Sequence, residues 1–254
     1  MSQAVDERPF GKHHSDMASA EILLRDRRAQ VVGSFGSLLD LQKTTDAEVS
    51  ESCDLAEIRL DLLASEANGA EPTSWSHLTT TPLLFTARRA EEGGAHSLDP
   101  VARINLLQAA IDHATWVDIE VASIGEMASF LEDIMACGIP WIASYHDFDR
   151  LPPTADLERA AKRARDAGAA IFKAAARLDS PADLARLAEF QLADHGIPVA
   201  TMGMGPLAPV SRLLCAQCGS LLNYGYLGNT ATAPGQWDSA LLKTAISRLV
   251  AFPA

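Results

Sequence analysis

The sequence predicts an α/β protein whose repeated strand and helix units close into a single (β/α)8 barrel, the TIM-barrel fold. Eight short apolar runs of strand type recur along the 254 residues, and helix-period segments separate most of them. Glycine follows several helical segments, where a left-handed residue commonly ends a helix. The length suits one barrel-sized domain.

Each predicted strand is an apolar run bounded by turn or helix signals. The eight runs are residues 31–37, 55–63, 83–88, 116–121, 141–146, 170–175, 199–204 and 221–227. Helix-period apolar positions occupy residues 100–114, 124–137, 156–167, 182–195, 209–218 and 238–250. The glycines expected to end helices are Gly138, Gly168, Gly196 and Gly219. In the first repeat, residues 45–54 make a poor helix on their own.

The barrel domain is expected to occupy residues 29–254. Residues 1–28 form a polar extension without a strand pattern, so we expect this extension to be loosely attached. Residues 229–236 follow the last strand and are rich in small side chains. Such a loop is suited to folding over a ligand as a lid.

Composition excludes several classes of partner. The formal net charge of -12 at pH 7 argues against nucleic acid and against an anionic membrane surface. No segment approaches the roughly 20 continuous apolar residues of a membrane span, and the N-terminus has no apolar export segment. We therefore expect a cytoplasmic protein. Its four cysteines lack the spacing of a zinc site and are expected to be free thiols: Cys53, Cys137, Cys215 and Cys218.

A single lysine interrupts the apolar run A-A-I-F-K-A-A-A at residues 169–176. Because burial disfavours the ammonium form, a lysine in this position loses its proton more easily than an exposed one. A neutral amine can attack a carbonyl carbon and form a Schiff base. Lys173 is therefore the predicted covalent nucleophile. The alternative is a lysine at a strand end whose ammonium group reaches solvent.

Two other predicted strands place charged residues on one face. The charged residues of E-I-R-L-D (57–61) share one parity, and D-I-E (118–120) repeats the arrangement. In a closed parallel barrel the apolar parity packs on helices and the charged parity points inward, where charge is tolerated near the mouth or in a network. Ionisable groups converging there indicate chemistry. The alternatives are the solvated face of an antiparallel sheet and a purely structural ion network.

Residues at the carboxyl ends of barrel strands meet at one face, and the residues expected at this face resemble those of the type I 3-dehydroquinate dehydratases. The resemblance runs in family order from about residue 31 to the end of the chain. The segments that carry it are E-I-R-L-D (57–61), T-A-R-R-A-E-E-G-G (86–94), D-I-E (118–120), S-Y-H-D-F (144–148), Lys173, M-G-M-G with S-R (202–212) and A-P-G-Q (233–236).

The resemblance implies a lyase that dehydrates 3-dehydroquinate to 3-dehydroshikimate with no metal or cofactor, and it suggests a homodimer. Lys173 would form a Schiff base with the ring ketone. His146 would act as general base and acid, and Glu92 would orient it. This step serves the shikimate pathway of aromatic biosynthesis as well as quinate breakdown, and the sequence leaves both open.

The resemblance also assigns substrate contacts. Arg212 would bind the substrate carboxylate at two points, and Gln236 would donate to it from the opposite side. Glu57 and Arg88 would bond ring hydroxyls. The groups that would hold these side chains and the lysine in place are Arg59, itself a substrate contact, and Asp61, Asp118 and Glu120. Met202 and Met204 would form an apolar wall beside the substrate. The remaining predicted contacts are Thr232 and Tyr224, at positions where the family commonly has Ser and Phe.

Two other functions stay open on the sequence alone. A Schiff-base aldolase on the same fold would use an equivalent lysine, but it leaves H-D-F (146–148) and A-P-G-Q unexplained. A non-catalytic barrel that binds a metabolite would be expected to lack at least one of Lys173, His146 and Arg212, and all three are present. The structural alternatives are core packing for Met202 and Met204 and a buried structural role for His146.

Overall fold

All eight predicted strands are present in the computed structural model, which describes residues 28–66 and 71–250 of the chain. They are β1 Gln30–Phe35, β2 Leu55–Arg59, β3 Leu83–Thr86, β4 Trp116–Glu120, β5 Trp141–Asp147, β6 Ile171–Arg177, β7 Val199–Met204 and β8 Leu222–Tyr226. The strands pair in parallel in the order β8, β1, β2, β3, β4, β5, β6, β7. The Leu221 N–H donates to the Val199 carbonyl oxygen (3.3 Å) and brings β8 towards β7. The nearly closed barrel confirms the predicted fold class.

Helices connect the strands and cover the outside of the barrel. They are α1 Leu38–Lys43, α2 Asp46–Ser52, α3 Leu60–Leu63, α4 Pro100–Ala110, α5 Ala128–Ala136, α6 Thr154–Asp166, α7 Pro181–Leu192, α8 Ala208–Gln217 and α9 Ser239–Ile246. Short 3₁₀ turns add Pro72–Ser74, Ala90–Glu92, Ile111–His113, Val121–Ser123 and Gly205–Leu207. The expected helix-ending glycines are all left-handed, with φ of 70°, 82°, 65° and 92° at Gly138, Gly168, Gly196 and Gly219.

In the first repeats, the segment expected to be a poor helix on its own is helical, and the predicted end of the second strand is wrong. Residues 46–52 form a regular helix because Thr45 and Glu48 make a capping box, in which the Thr45 hydroxyl accepts from the Glu48 N–H and the Glu48 carboxylate accepts from the Thr45 N–H. The second strand ends at Arg59 rather than at residue 63, and α3 follows at once. Asp61 therefore lies on a helix, where its carboxylate accepts bonds from Arg59 and from two backbone N–H groups.

The alternation of the strands divides the barrel interior into an apolar floor and a polar upper layer. The floor takes one buried residue from each strand: Val32, Leu55, Leu84, Trp116, Ile142, Ile171, Ala200 and Leu222. Two residues further along each strand, the upper layer contains Ser34, Glu57, Thr86, Asp118, Ser144, Lys173, Met202 and Tyr224. The opposite parity joins the helices in a second, larger apolar cluster. The charged parity thus points inward, as predicted.

The predicted extension at residues 1–28 lies outside the described residues except for Arg28. Among the helices that the structure describes, none is both long and apolar enough to cross a membrane.

Candidate active site

A cavity opens above the polar layer, at the carboxyl ends of the strands, and its empty space together with its solvent-filled mouth is about 500 Å³. It brings together all twelve side chains that the sequence predicted as catalytic or substrate-binding: Glu57, Arg59, Arg88, Glu92, His146, Lys173, Met202, Met204, Arg212, Tyr224, Thr232 and Gln236. Their individual roles stay predictions. The cavity also includes Gly93, Phe148 and Ala233, which lie in the segments that carry the resemblance, and Ser34 and Ala175, which do not.

Lys173 is buried on the inner face of β6, with 3% of its surface exposed. Its Nζ donates to Asp118 Oδ2 at 3.0 Å and lies 3.9 Å from the centroid of the Tyr224 ring. Burial lowers the pKa of Lys173, and the Arg88 guanidinium lowers it further, while Asp118 and Glu57 oppose the shift. The net direction is towards the neutral amine, which is the nucleophilic form.

Arg88 joins three acceptors beneath the cavity. Its Nη1 lies 2.8 Å from Asp118 Oδ1, 2.9 Å from Glu120 Oε1 and 2.6 Å from Ser144 Oγ. Burial alone would raise the pKa of Asp118, but the positive charges of Arg88 and Lys173 outweigh it and lower that pKa. Asp118 is therefore a carboxylate, and it bridges the lysine to the guanidinium.

His146 stands at the end of β5 and contacts Glu92 twice. The backbone N–H of His146 donates to Glu92 Oε2 at 2.9 Å, and the ring Nδ1 lies 3.0 Å from the same oxygen. Burial, followed by the charges of Arg88 and Lys173, places the pKa of His146 well below 6.5, so the imidazole is neutral. Burial raises the pKa of Glu92 to about 7. When Glu92 is ionised, a proton on Nδ1 shared with its carboxylate leaves Nε2 as a free base.

Arg212 is a buried guanidinium without an acidic partner among the described residues. Its Nε donates to the Tyr224 carbonyl oxygen at 2.9 Å, and its Nη1 donates to the carbonyl oxygens of Gly203 and Ala208, both at 3.0 Å. These bonds fix the plane of the side chain on α8. Burial lowers its pKa to about 10, still far above neutral pH. A charge held in this way is suited to an anionic ligand group.

Glu57 and Asp61 are two further acids that accept hydrogen bonds from neighbouring groups of the protein. Glu57 accepts from the Ser34 hydroxyl and, at 2.7 Å, from the Thr86 hydroxyl. Arg59 makes a two-point pair with Asp61, at 2.9 and 2.8 Å, and its Nη2 also donates to the Gly93 carbonyl oxygen at 3.1 Å. This pair holds the backbone next to Glu92.

The loop after β8 is held by a contact between two predicted site residues. The Thr232 N–H and hydroxyl both donate to Gln236 Oε1 at 2.9 Å. Asn229 anchors the start of the loop, because its N–H and its amide both donate to the Asp40 carboxylate, at 3.1 and 3.2 Å. The amide nitrogen of Gln236 is left to donate towards the cavity.

Sequence reasoning missed three polar residues of the site. Ser34 and Ser144 belong to the upper layer, and the parity shared with Glu57 and Asp118 could have identified them. Arg103 on α4 is 1% exposed and donates to Glu120, to the Ser123 hydroxyl at 2.9 Å and to the Ala87 carbonyl oxygen at 2.7 Å. Its helical position carried no signal of this role.

The cysteines lie outside the cavity and are free thiols, as predicted. Burial raises the pKa of Cys53 and of Cys215 to about 12, so both are protonated at neutral pH. Within the part of the chain that the structure describes, no three His, Cys, Asp or Glu side chains come together as a metal site.

Fold and cavity together define a (β/α)8-barrel enzyme with a buried lysine, a histidine and a guanidinium that has no acidic partner among the described residues. The model of the type I 3-dehydroquinase family matches residues 35–250. The 3-dehydroquinate dehydratase of Methanothrix thermoacetophila is 32% identical over 226 residues, which cover 88% of this chain and 93% of that protein. The chain therefore belongs to the type I 3-dehydroquinase family.

Other relatives agree with this assignment. The Haloquadratum walsbyi 3-dehydroquinate dehydratase is 32% identical over 80% of this chain and 87% of its own length. The crystal structure of the Geobacillus kaustophilus 3-dehydroquinate dehydratase superposes with a TM-score of 0.71 at 25% identity, covering 87% of this chain and 90% of that one. Family membership favours a dehydratase over the aldolase and the non-catalytic barrel.

Proposed function

We propose that the chain dehydrates 3-dehydroquinate to 3-dehydroshikimate through a Schiff base on Lys173, with His146 as general base and acid. The observation that carries the proposal is the convergence of Lys173, His146 and the buried Arg212 guanidinium on one cavity. An amine, a base and an anion-binding group are the three parts that this chemistry needs.

Condensation is the first step. The neutral amine of Lys173 attacks the ring ketone, and the carbinolamine loses water to give an iminium whose nitrogen carries the positive charge. Burial and Arg88 lower the pKa of Lys173 and so favour the attacking form. Asp118, 3.0 Å from Nζ, is placed to balance the charge that the iminium restores.

Elimination follows. His146 Nε2 takes a proton from the carbon next to the iminium, and the electron pair moves to the nitrogen to give a neutral enamine. The enamine then expels the hydroxyl group, which leaves as water with the proton from His146. Glu92 supports both transfers, because its carboxylate holds the Nδ1 proton and stabilises the imidazolium that forms between them. Hydrolysis of the conjugated iminium releases the product and restores the amine.

The substrate carboxylate is assigned to Arg212 and Gln236. The bonds from Arg212 to three backbone carbonyl oxygens orient the guanidinium before substrate arrives. The substrate hydroxyls are assigned to Glu57 and Arg88, with Arg59 beside them and Met202 and Met204 as the apolar wall.

An absorbance assay of 3-dehydroshikimate formation from 3-dehydroquinate tests the proposal. We expect turnover by the wild type, with and without a chelator, and none by Lys173→Ala. Lys162→Ala is the matched control, because the side chain of Lys162 is 66% exposed on α6. Absence of turnover in the wild type, or a rate for Lys173→Ala equal to that of the control, contradicts the proposal.

We further propose a homodimer, on the basis of the family resemblance. Sedimentation velocity of the purified chain should give the mass of two copies, and a single species of 27.1 kDa contradicts this. The cytoplasmic location expected from the sequence stays a prediction.

A further inference from the structure

The aromatic ring of Tyr224 contacts the reacting nitrogen. Tyr224 lies on the inner face of β8 and is 4% exposed, and Nζ of Lys173 stands 3.9 Å from its ring centroid. The phenol oxygen is buried without a hydrogen-bond partner among the described residues. The ring face, rather than the hydroxyl group, therefore makes the contact with the lysine.

We propose that the ring face of Tyr224 holds the positive charge on Nζ of Lys173 and is a further catalytic residue of this site. The negative face of an aromatic ring attracts a cation, and the attraction grows when both groups are removed from water. The inference rests on the proposed function for its role in turnover, because there the same nitrogen carries the charge first as an ammonium and then as an iminium.

The ring and Asp118 together orient the nitrogen. An ammonium has three N–H groups; Asp118 accepts one at 3.0 Å, and the ring face receives a second. The third direction remains for the cavity, which Lys173 lines. When this N–H loses its proton, the lone pair points to the space in which a ketone binds.

The surroundings of Lys173 define what the ring contributes. Buried positive and negative groups lie on the neighbouring elements and act on the amine in opposite directions. They are Glu57 from β2, Arg88 after β3 and Asp118 from β4. His146 from β5 is a neutral neighbour, and β1 and β7 contribute the uncharged Ser34 and Met202. The ring adds an attraction that carries no formal charge, so it stabilises the cation without adding another acid to the site.

A lysine titration by NMR tests the inference directly and needs no turnover. The chain contains five lysines, so labelling with [ε-¹³C]lysine gives a simple spectrum, and loss of one signal in Lys173→Ala assigns Lys173. We expect Tyr224→Met to weaken proton binding at Lys173 by about tenfold. Tyr224→Phe keeps the ring and should stay within about twofold of the wild type. Equal titration of the Met and Phe variants would overturn the inference.

Fluorinated phenylalanines at position 224 give a second measurement that preserves ring size and packing. Each added fluorine weakens the negative potential of the ring face, so the pKa of Lys173 should fall progressively from phenylalanine to pentafluorophenylalanine. A flat series overturns the inference even if Tyr224→Met fails to fold. Lack of turnover or of a lysine adduct in the wild type would contradict the proposed function and leave this titration unchanged.

Discussion

The pKa values of Lys173 and His146 are both lowered for the same physical reason, which is burial beside a fixed positive charge. Arg88 lowers the pKa of each, and burial is the larger influence in both. Arg88 itself remains charged because Asp118 and Glu120 flank it. One guanidinium thus favours both the nucleophilic form of the amine and the basic form of the imidazole.

His146→Ala should separate proton transfer from adduct formation. We expect turnover to fall by about 10²- to 10⁴-fold, the usual contribution of a positioned base. Substrate should still form a borohydride-trapped adduct, because the amine belongs to another residue. His77→Ala is the control, since His77 is exposed and its one side-chain hydrogen bond among the described residues is with the Thr44 carbonyl oxygen. A near wild-type rate for His146→Ala means that another group is the base.

At the scale of the elements, two sets of side-chain hydrogen bonds hold the active site in place. Arg103 ties α4 to the end of β4 through Glu120, and Glu120 in turn holds Arg88. On the other side of the mouth, Thr232 and Gln236 close the loop after β8 upon itself. The first set is buried, whereas the second lies in a half-exposed loop, so we expect the first to govern stability and the second to govern binding.

Arg103→Met should destabilise the fold by about 3–5 kcal/mol, because it leaves the buried Glu120 carboxylate with one guanidinium fewer. Arg159→Met is the matched control on α6. The side chain of Arg159 is 72% exposed and pairs with Asp156 on the same helix, so we expect a change below about 0.5 kcal/mol. Urea denaturation measures both, and equal effects of the two substitutions would contradict this account.

The loop at residues 229–236 should gain protection when ligand binds. Asn229 and Pro234 tie it to the barrel through Asp40 and the Gly205 N–H, and the Gln236 amide nitrogen can donate to a carboxylate held by Arg212. Hydrogen exchange with and without product should show slower exchange of this segment in the complex. In Gln236→Ala we expect the difference in exchange rate between the free and product-bound states to disappear, and we expect KM to rise about tenfold. Equal protection in the free and bound wild type would argue against a lid.

For the whole molecule, the sequence predicts the barrel and its charged interior but not every partner. Glu57, Asp118 and Lys173 were recognisable because a charge in an apolar strand breaks the expected pattern. Ser144 has the same parity and lies within S-Y-H-D-F, but it received no role because a serine is ordinary in a strand and its contact with Asp118 depends on the register of β4 against β5. The end of β2 at Arg59 could not be predicted from the local sequence either, because Asp61 ends the strand by accepting bonds from the distant backbone N–H groups of Arg88 and Ala95.

Glu92 should make stability depend on pH. Burial is the largest influence on its carboxyl and raises the pKa from 4.5 to about 7. The native state therefore binds this proton more tightly than the unfolded chain, and the resulting stabilisation is lost as pH rises from about 4.5 to 7. Relative to that of Glu92→Gln, the free energy of unfolding of the wild type should fall by roughly 3 kcal/mol across this range.

Denaturation at pH 5 and at pH 8 measures this difference, and the neighbouring Glu91→Gln is the control. The Glu91 side chain is 72% exposed, and hydrogen bonding lowers its pKa, so its substitution should leave the pH dependence unchanged. A constant difference between the wild type and Glu92→Gln at both pH values would show that Glu92 is not buried in its protonated form.

Borohydride trapping tests the central claim most directly, because it reports which nitrogen bonds to substrate. Reduction in the presence of 3-dehydroquinate or product should inactivate the enzyme irreversibly and attach the ring to Lys173. Trypsin does not cleave after a modified lysine, so the adduct should appear on the uncleaved peptide that spans residues 166–177. An adduct on any other of the five lysines, or full activity with no adduct, would contradict the Schiff-base mechanism.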